Sequence, residues 1–140
     1  MAVLTYDPNG ISLSVAGKLI KGFSDGTFVT IARNNDMFSD KTGCDGKTTR
    51  VKTNDKSGYV QFVLQQSSAS NDDMSAIIAA DELDNAGVVP VMVRDTSGRT
   101  TASSLSAWFA RYPQVDYSKD VSDRTYMLRC DSLDIFVGGN

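Results

Sequence analysis

Hydrophobic and polar residues alternate with a period of two over several short stretches of this chain. Ile11, Leu13 and Val15 interleave with Ser12, Ser14 and Ala16, the pattern of a strand with one buried face. Thr27–Arg33 (TFVTIAR) is rich in β-branched and aromatic residues. The Asp25-Gly26 pair before it is a hairpin signal, which predicts that this strand pairs with the first one. Gly58–Gln66 and Val88–Asp95 read as strands. In Arg124–Asp131 the side chains of Tyr126, Leu128 and Cys130 share one face, and Ser132–Val137 reads as the last strand. Arg99–Ser106 is Thr/Ser-rich and predicts a half-exposed strand.

Helical spacing is good in one place only, Asn71–Ala86. Met74, Ile77, Ile78 and Leu83 are the expected apolar stripe, packed on a sheet. Asn71 or Asp72 is the expected N-cap, with Asp72 and Asp73 suiting the helix dipole, and Gly87 the expected C-terminal stop. The chain thus reads as about six or seven strands and one helix.

The segment from Asn34 to Ser57 breaks the pattern. Its apolar residues are Met37, Phe38, Cys44 and Val51, too few for a core of its own. Such a stretch is a surface loop, or an arm that orders on a neighbouring subunit; a hairpin around Thr48–Thr53 is compatible with either. Ala107–Tyr112 (AWFARY) is the densest aromatic patch. Trp108 and Phe109 there are either core packing or an intersubunit anchor.

The chain has 140 residues, 41% hydrophobic and 22% charged, which suits one domain, 1–140, with one core. No apolar run approaches the roughly 20 residues of a membrane span. MAVLTYDPNG lacks the basic and apolar regions of a signal peptide, so the protein is expected to stay in the cytoplasm where it is made. Net charge is −3 and no Lys/Arg cluster of the DNA-gripping kind occurs. Cys44 and Cys130 read as free thiols; pairing them needs a geometry that sequence does not supply.

Chemistry is hard to build from these residues. With no histidine, a Ser-His-Asp triad cannot form, and a nucleophilic Cys44 lacks its usual base. No nucleotide-phosphate loop occurs, and Asp36–Asp45 fails the EF-hand pattern. The carboxylates Asp72/Asp73 and Asp81/Glu82/Asp84 are an N-terminal cap and a solvated helix face, or else a weak cation site. No cofactor, metal or catalytic residue is assigned, and a scaffold is expected, not an enzyme.

The order of these pieces resembles the tail tube proteins of contractile-tailed bacteriophages. The matching stretches are GISLSVAG with GFSDGTFVTIARNNDMF, then DGKTTRVKTNDKSGYVQFVLQQSSASND, VPVMVRDTSGRTTASSLSAWFARYP and LRCDSLDIFVGGN. The resemblance spans nearly the whole chain and rests on order and texture. It implies a mainly β fold with one α-helix: a β-sandwich or partly closed β-barrel flanked by the helix, with a long polar loop. It also implies a virion structural protein, assembled in the host cytoplasm, whose hexameric rings stack into a hollow tube. Tail sheath, tape measure, baseplate and tail terminator proteins are the implied partners, and DNA passes through the lumen without specific binding. Ring proteins of type VI secretion and of contractile bacteriocins share that architecture. On this reading Ser12, Ser14, Thr30, Gln61 and Gln65 are candidate lumen-wall residues, with Asp131 and Asp134 as secondary candidates. Asp40, Lys41, Lys47, Arg50, Lys52, Asp55, Trp108 and Phe109 are candidate intersubunit residues.

Overall fold

A computed structural model describes residues 3–139. A short 3-10 turn, Pro8–Gly10, leads into β1 (Ile11–Val15) and β2 (Lys18–Leu19). Then come β3 (Val29–Arg33), β4 (Phe38–Thr42), β5 (Thr48–Lys52), β6 (Gly58–Gln65) and α1 (Ser70–Asp84). The chain ends with β7 (Val89–Asp95), β8 (Thr101–Phe109), β9 (Asp123–Cys130) and β10 (Asp134–Phe136). No helix among the described residues is long and apolar enough to cross a membrane.

The main sheet is antiparallel throughout, in the order β2-β1-β7-β8-β9-β6-β3, with β10 added beside β8. β8 joins its halves. Its first residues lie between β7 and β10; its last, Ala107–Phe109, pair with β9. The register slips between Val89 and Val91, and the Ser104 hydroxyl braces the slip by bonding the Ser106 backbone. The bend this allows wraps the sheet around one core, built from Leu13, Val15, Val60, Phe62, Leu64, Val91, Val93, Tyr126 and Leu128 among others. Neither β3 nor β2 pairs with the opposite end of the sheet, so the barrel is not closed. The expected class is borne out: mainly β, sandwich-like, with one helix.

Aromatic geometry fixes the centre. The Phe62 and Tyr126 rings stack at 5.2 Å, and Phe109 meets both edge-on at 6.3 and 5.8 Å. Met74 and Ile78 bring α1 onto this core.

Several expectations need correction. β3 pairs with β6, not with β1. β1 instead turns tightly into β2 through Ala16 and Gly17, both at positive φ. The helix begins one residue earlier than expected, with no side-chain cap at Ala69. Asn71 does not cap it; its amide donates to the carbonyls of Gln65 and Ser68. Asn85, in the left-handed conformation, ends it in place of Gly87. Leu83 is 82% exposed and no part of the stripe. Both cysteines are free, Cys130 buried and Cys44 exposed.

Candidate assembly surfaces

Directly paired residues of an antiparallel sheet share a face, so the register sorts the outer face into rows. One row runs Thr30, Gln61, Met127, and beside it lie Ala32, Tyr59, Arg129 and Trp108. At the other end of the sheet the rows are Ser14, Met92, Ser103, Asp134 and Ser12, Arg94, Thr101, Phe136. Gln65 pairs with Asp123 at the rim. All five lumen-wall candidates therefore point away from the core, as alternation predicts. They divide into two groups: Ser12 and Ser14 on β1, and Thr30, Gln61 and Gln65 on β3 and β6.

Two residues of this face were missed. Arg94 and Arg129 are exposed on it, beside Ser12 and Trp108 respectively. The signal was available: once Tyr126, Leu128 and Cys130 face inward, Arg129 must face outward. The face is polar but not purely neutral or acidic.

The odd polar segment is a hairpin. β4 and β5 form their own two-stranded sheet, and every residue in both strands is exposed. It extends the β3–β6 pair through a neck in which Asn34 and Ser57 still bond, backbone and side chain. The Asp55 carboxylate braces this neck, accepting from the Ser57 backbone and from Asn35. Those hydrogen bonds, led by the Ser57 backbone, hold its pKa below the ordinary 3.8.

Phe38, Asp40, Arg50 and Lys52 share one face of the hairpin; Ser39, Lys41, Thr49 and Val51 share the other. The Arg50 guanidinium lies 4.2 Å from the Phe38 ring centroid, a cation–π contact. Lys47 sits in the tight turn, where its backbone bonds Gly43 and Asp45.

The aromatic pair separates. Trp108 is half-buried on the outer face, opposite Arg129. Phe109 is 7% exposed, with its ring inside the aromatic cluster. Alternation sends adjacent strand residues to opposite sides, so Phe109 is corrected from candidate anchor to core residue.

A family model described as "Bacteriophage PhiTE tail tube protein" matches residues 9–138. The chain belongs to this phage tail tube family. It is also 26% identical over 144 residues to "Structural protein ORF10" of Pseudomonas phage KPP10, covering 97% of this chain and 83% of that protein. Among solved structures, its fold is similar to a chain of a contractile injection system sheath–tube complex in the extended state. That match has a TM-score of 0.65 at 12% identity, covering 94% of this chain and 91% of the other. It is also similar to the tube-terminating cap of the anti-feeding prophage, with TM-score 0.62 at 13% identity, covering 97% and 94%. As a tail tube family member the chain is a structural protein of the virion, which agrees with the scaffold expected from its residues.

Proposed function

We propose that this chain is the subunit of a tail tube: six copies close into a ring, rings stack, and the channel conducts DNA during ejection. One observation carries the reading. Among the described residues β2 and β3 end the sheet, each paired on one side only, so its hydrogen-bonding edges are open in a single subunit. Ring closure supplies the partners that open edges need. The hairpin supports the same reading: it contributes nothing to the core and displays Asp40, Lys41, Arg50 and Lys52 as a stacking arm. Trp108 stands on the outer face as a further contact. Sheath outside, tape measure inside, and baseplate and terminator at the two ends are the partners this role requires.

A second reading is a terminator or baseplate ring of the same fold. It is favoured by the cap's TM-score of 0.62, close to the 0.65 of the sheath–tube chain. Negative-stain microscopy of the purified protein at high concentration separates them. Tubes with a central pore are expected, and each contact should bury well over about 1,000 Å². Isolated rings would favour the terminator, and a monomer at every concentration would sink both.

A further inference from the structure

Arg124 is a buried cation without an anion. It is 6% exposed. One of its terminal nitrogens donates to the Ser122 hydroxyl at 2.8 Å and to the Asp123 backbone carbonyl at 3.1 Å. Among the described residues no carboxylate reaches it at ion-pair distance; the pair that does form is Lys18–Asp73. The nearby acids are engaged elsewhere: the Asp123 carboxylate accepts from Ser24, and Asp116 from Gln114. Asp72, in the first turn of α1, acts on Tyr126 at longer range.

A guanidinium carries five N–H donors, and Ser122 and Asp123 engage one nitrogen. No buried side-chain nitrogen or oxygen among the described residues lacks a partner. The remaining donors of Arg124 therefore reach open space, and that space is a cavity of about 320 Å³. Asn71 and Ser75 of α1, Tyr112 and Tyr117 of the loop between β8 and β9, and Tyr126 of β9 line it around Arg124. The guanidinium carbon stands 5.5 Å from the Tyr117 ring centroid, which flanks the cation on one side. Tyr117 is 78% exposed, so the mouth lies at the surface.

Such a site selects its ligand. A single permanently charged fork between aromatic walls suits a monoanion that accepts two parallel hydrogen bonds. A carboxylate does this. Burying an unpaired guanidinium costs stability that a bound carboxylate restores. The chain displays many candidates: Asp40, Asp131 and Asp134 are exposed with no ion pair among the described residues.

We propose that the Arg124 cavity is a carboxylate socket, filled in the assembly by an acidic side chain of a neighbouring copy of this chain. The proposal rests on the ring reading for its occupant, but not for the socket itself.

The test uses the full-length chain with Arg124→Met and Arg124→Lys. Arg124→Met should fold with a melting temperature at or above wild type, because it removes an uncompensated buried charge. Its critical concentration for assembly should rise about tenfold or more, as loss of a buried charge partner does. Arg124→Lys keeps the charge without the fork and should fall between. In parallel, the Arg124 side-chain N–H resonance of unassembled wild-type protein is followed while sodium acetate replaces sodium chloride at constant ionic strength. A saturable shift is expected.

Saturation by acetate with unchanged assembly of Arg124→Met would overturn the neighbouring copy as the source and leave a free carboxylate as the ligand. No shift, with unchanged assembly, would overturn the socket. Should Arg124→Met fail to fold, the assembly of Arg124→Lys decides the source. Wild-type chains that never assemble, while acetate still saturates Arg124, would refute the ring reading and the neighbour's role but not the socket.

Discussion

Ala16 has φ of 54° and Gly17 φ of 80°, so both central residues of the β1–β2 turn are left-handed. That combination belongs to tight hairpin turns whose twist matches the strands. Glycine adopts it freely, whereas an L-alanine there carries about 1–2 kcal/mol of strain. Asparagine tolerates the conformation, so Ala16→Asn should stabilise the fold by about 0.5–1 kcal/mol. The measurement is a higher urea midpoint at unchanged slope. Asn71 is the opposite case. Its side chain donates to two carbonyls at 3.0 Å and accepts from the Tyr126 hydroxyl at 2.8 Å. Asn71→Ala leaves all three groups without that partner and should cost about 1–3 kcal/mol in the same experiment.

Two buried groups give the stability a pH dependence. Burial pushes the Cys130 thiol above its ordinary 9.0 and the Tyr126 hydroxyl above its ordinary 10.0. Both are raised, so the folded state holds these protons more tightly than the unfolded one. Their contribution is complete below the ordinary values and is lost as pH rises through the folded ones. Stability should therefore fall above about pH 9, and Cys130→Ala should show less of that fall when each protein is compared with its own stability at pH 7.

At the scale of elements, the hairpin gives the sharpest expectation. β4 and β5 pair with each other and add nothing to the core. Replacing residues 38–52 by an Asn-Gly turn should leave the melting temperature within a few degrees of wild type and abolish stacking into tubes. A shortened protein that still forms normal tubes would rule the hairpin out as the stacking arm. The Asp55 neck adds a pH signature. Its carboxylate has a lowered pKa, so its bracing is present above 3.8 and lost as pH falls through the folded value. Amide exchange at Ser57 should then quicken, relative to core amides, in acid.

The same elements show what sequence discloses. β6, β7 and β9 were legible because burial on one face imposes a period of two on Val60, Phe62 and Leu64, or on Tyr126, Leu128 and Cys130. β4 left no such trace, because both its faces meet solvent and nothing selects apolar positions. β3 was seen but given the wrong partner: a turn signal such as Asp25-Gly26 is local, whereas pairing with β6 spans the whole hairpin arm. Leu83 failed on arithmetic. It lies nine residues from Met74, about 900° around a helix, which places it on the opposite side. Arg124 was legible by the same alternation, since it shares the inward face with Tyr126, Leu128 and Cys130; what the sequence did not disclose is that no carboxylate would meet it there.

For the whole molecule, the tube reading poses the question of which half of the outer face would line the channel. Ser14 on β1 and Gln61 on β6 are both half-buried and outward, near opposite ends of one bent sheet. A lysine at either site leaves the core untouched, and surface changes of this kind usually cost less than about 0.5 kcal/mol. Rings should therefore still form from Ser14→Lys and from Gln61→Lys. In a phage carrying one of them, each ring would add a circle of positive charge at the substituted position. If that position faces the lumen, phosphate attraction adds friction and ejection slows. The slowing should ease at high salt, because screening shortens the range of the attraction. A position on the outside of the tube should show neither effect. The two single variants thus assign the wall without a map of the tube. The native Arg129 supplies the reverse test: it sits beside Tyr59 on the Gln61 side, so Arg129→Gln should speed ejection only if Gln61→Lys slows it. Normal ejection in low salt from a lysine variant with correctly assembled tails, its lysine shown to face the lumen, would refute the electrostatic account of the channel and leave membership of the tail tube family intact.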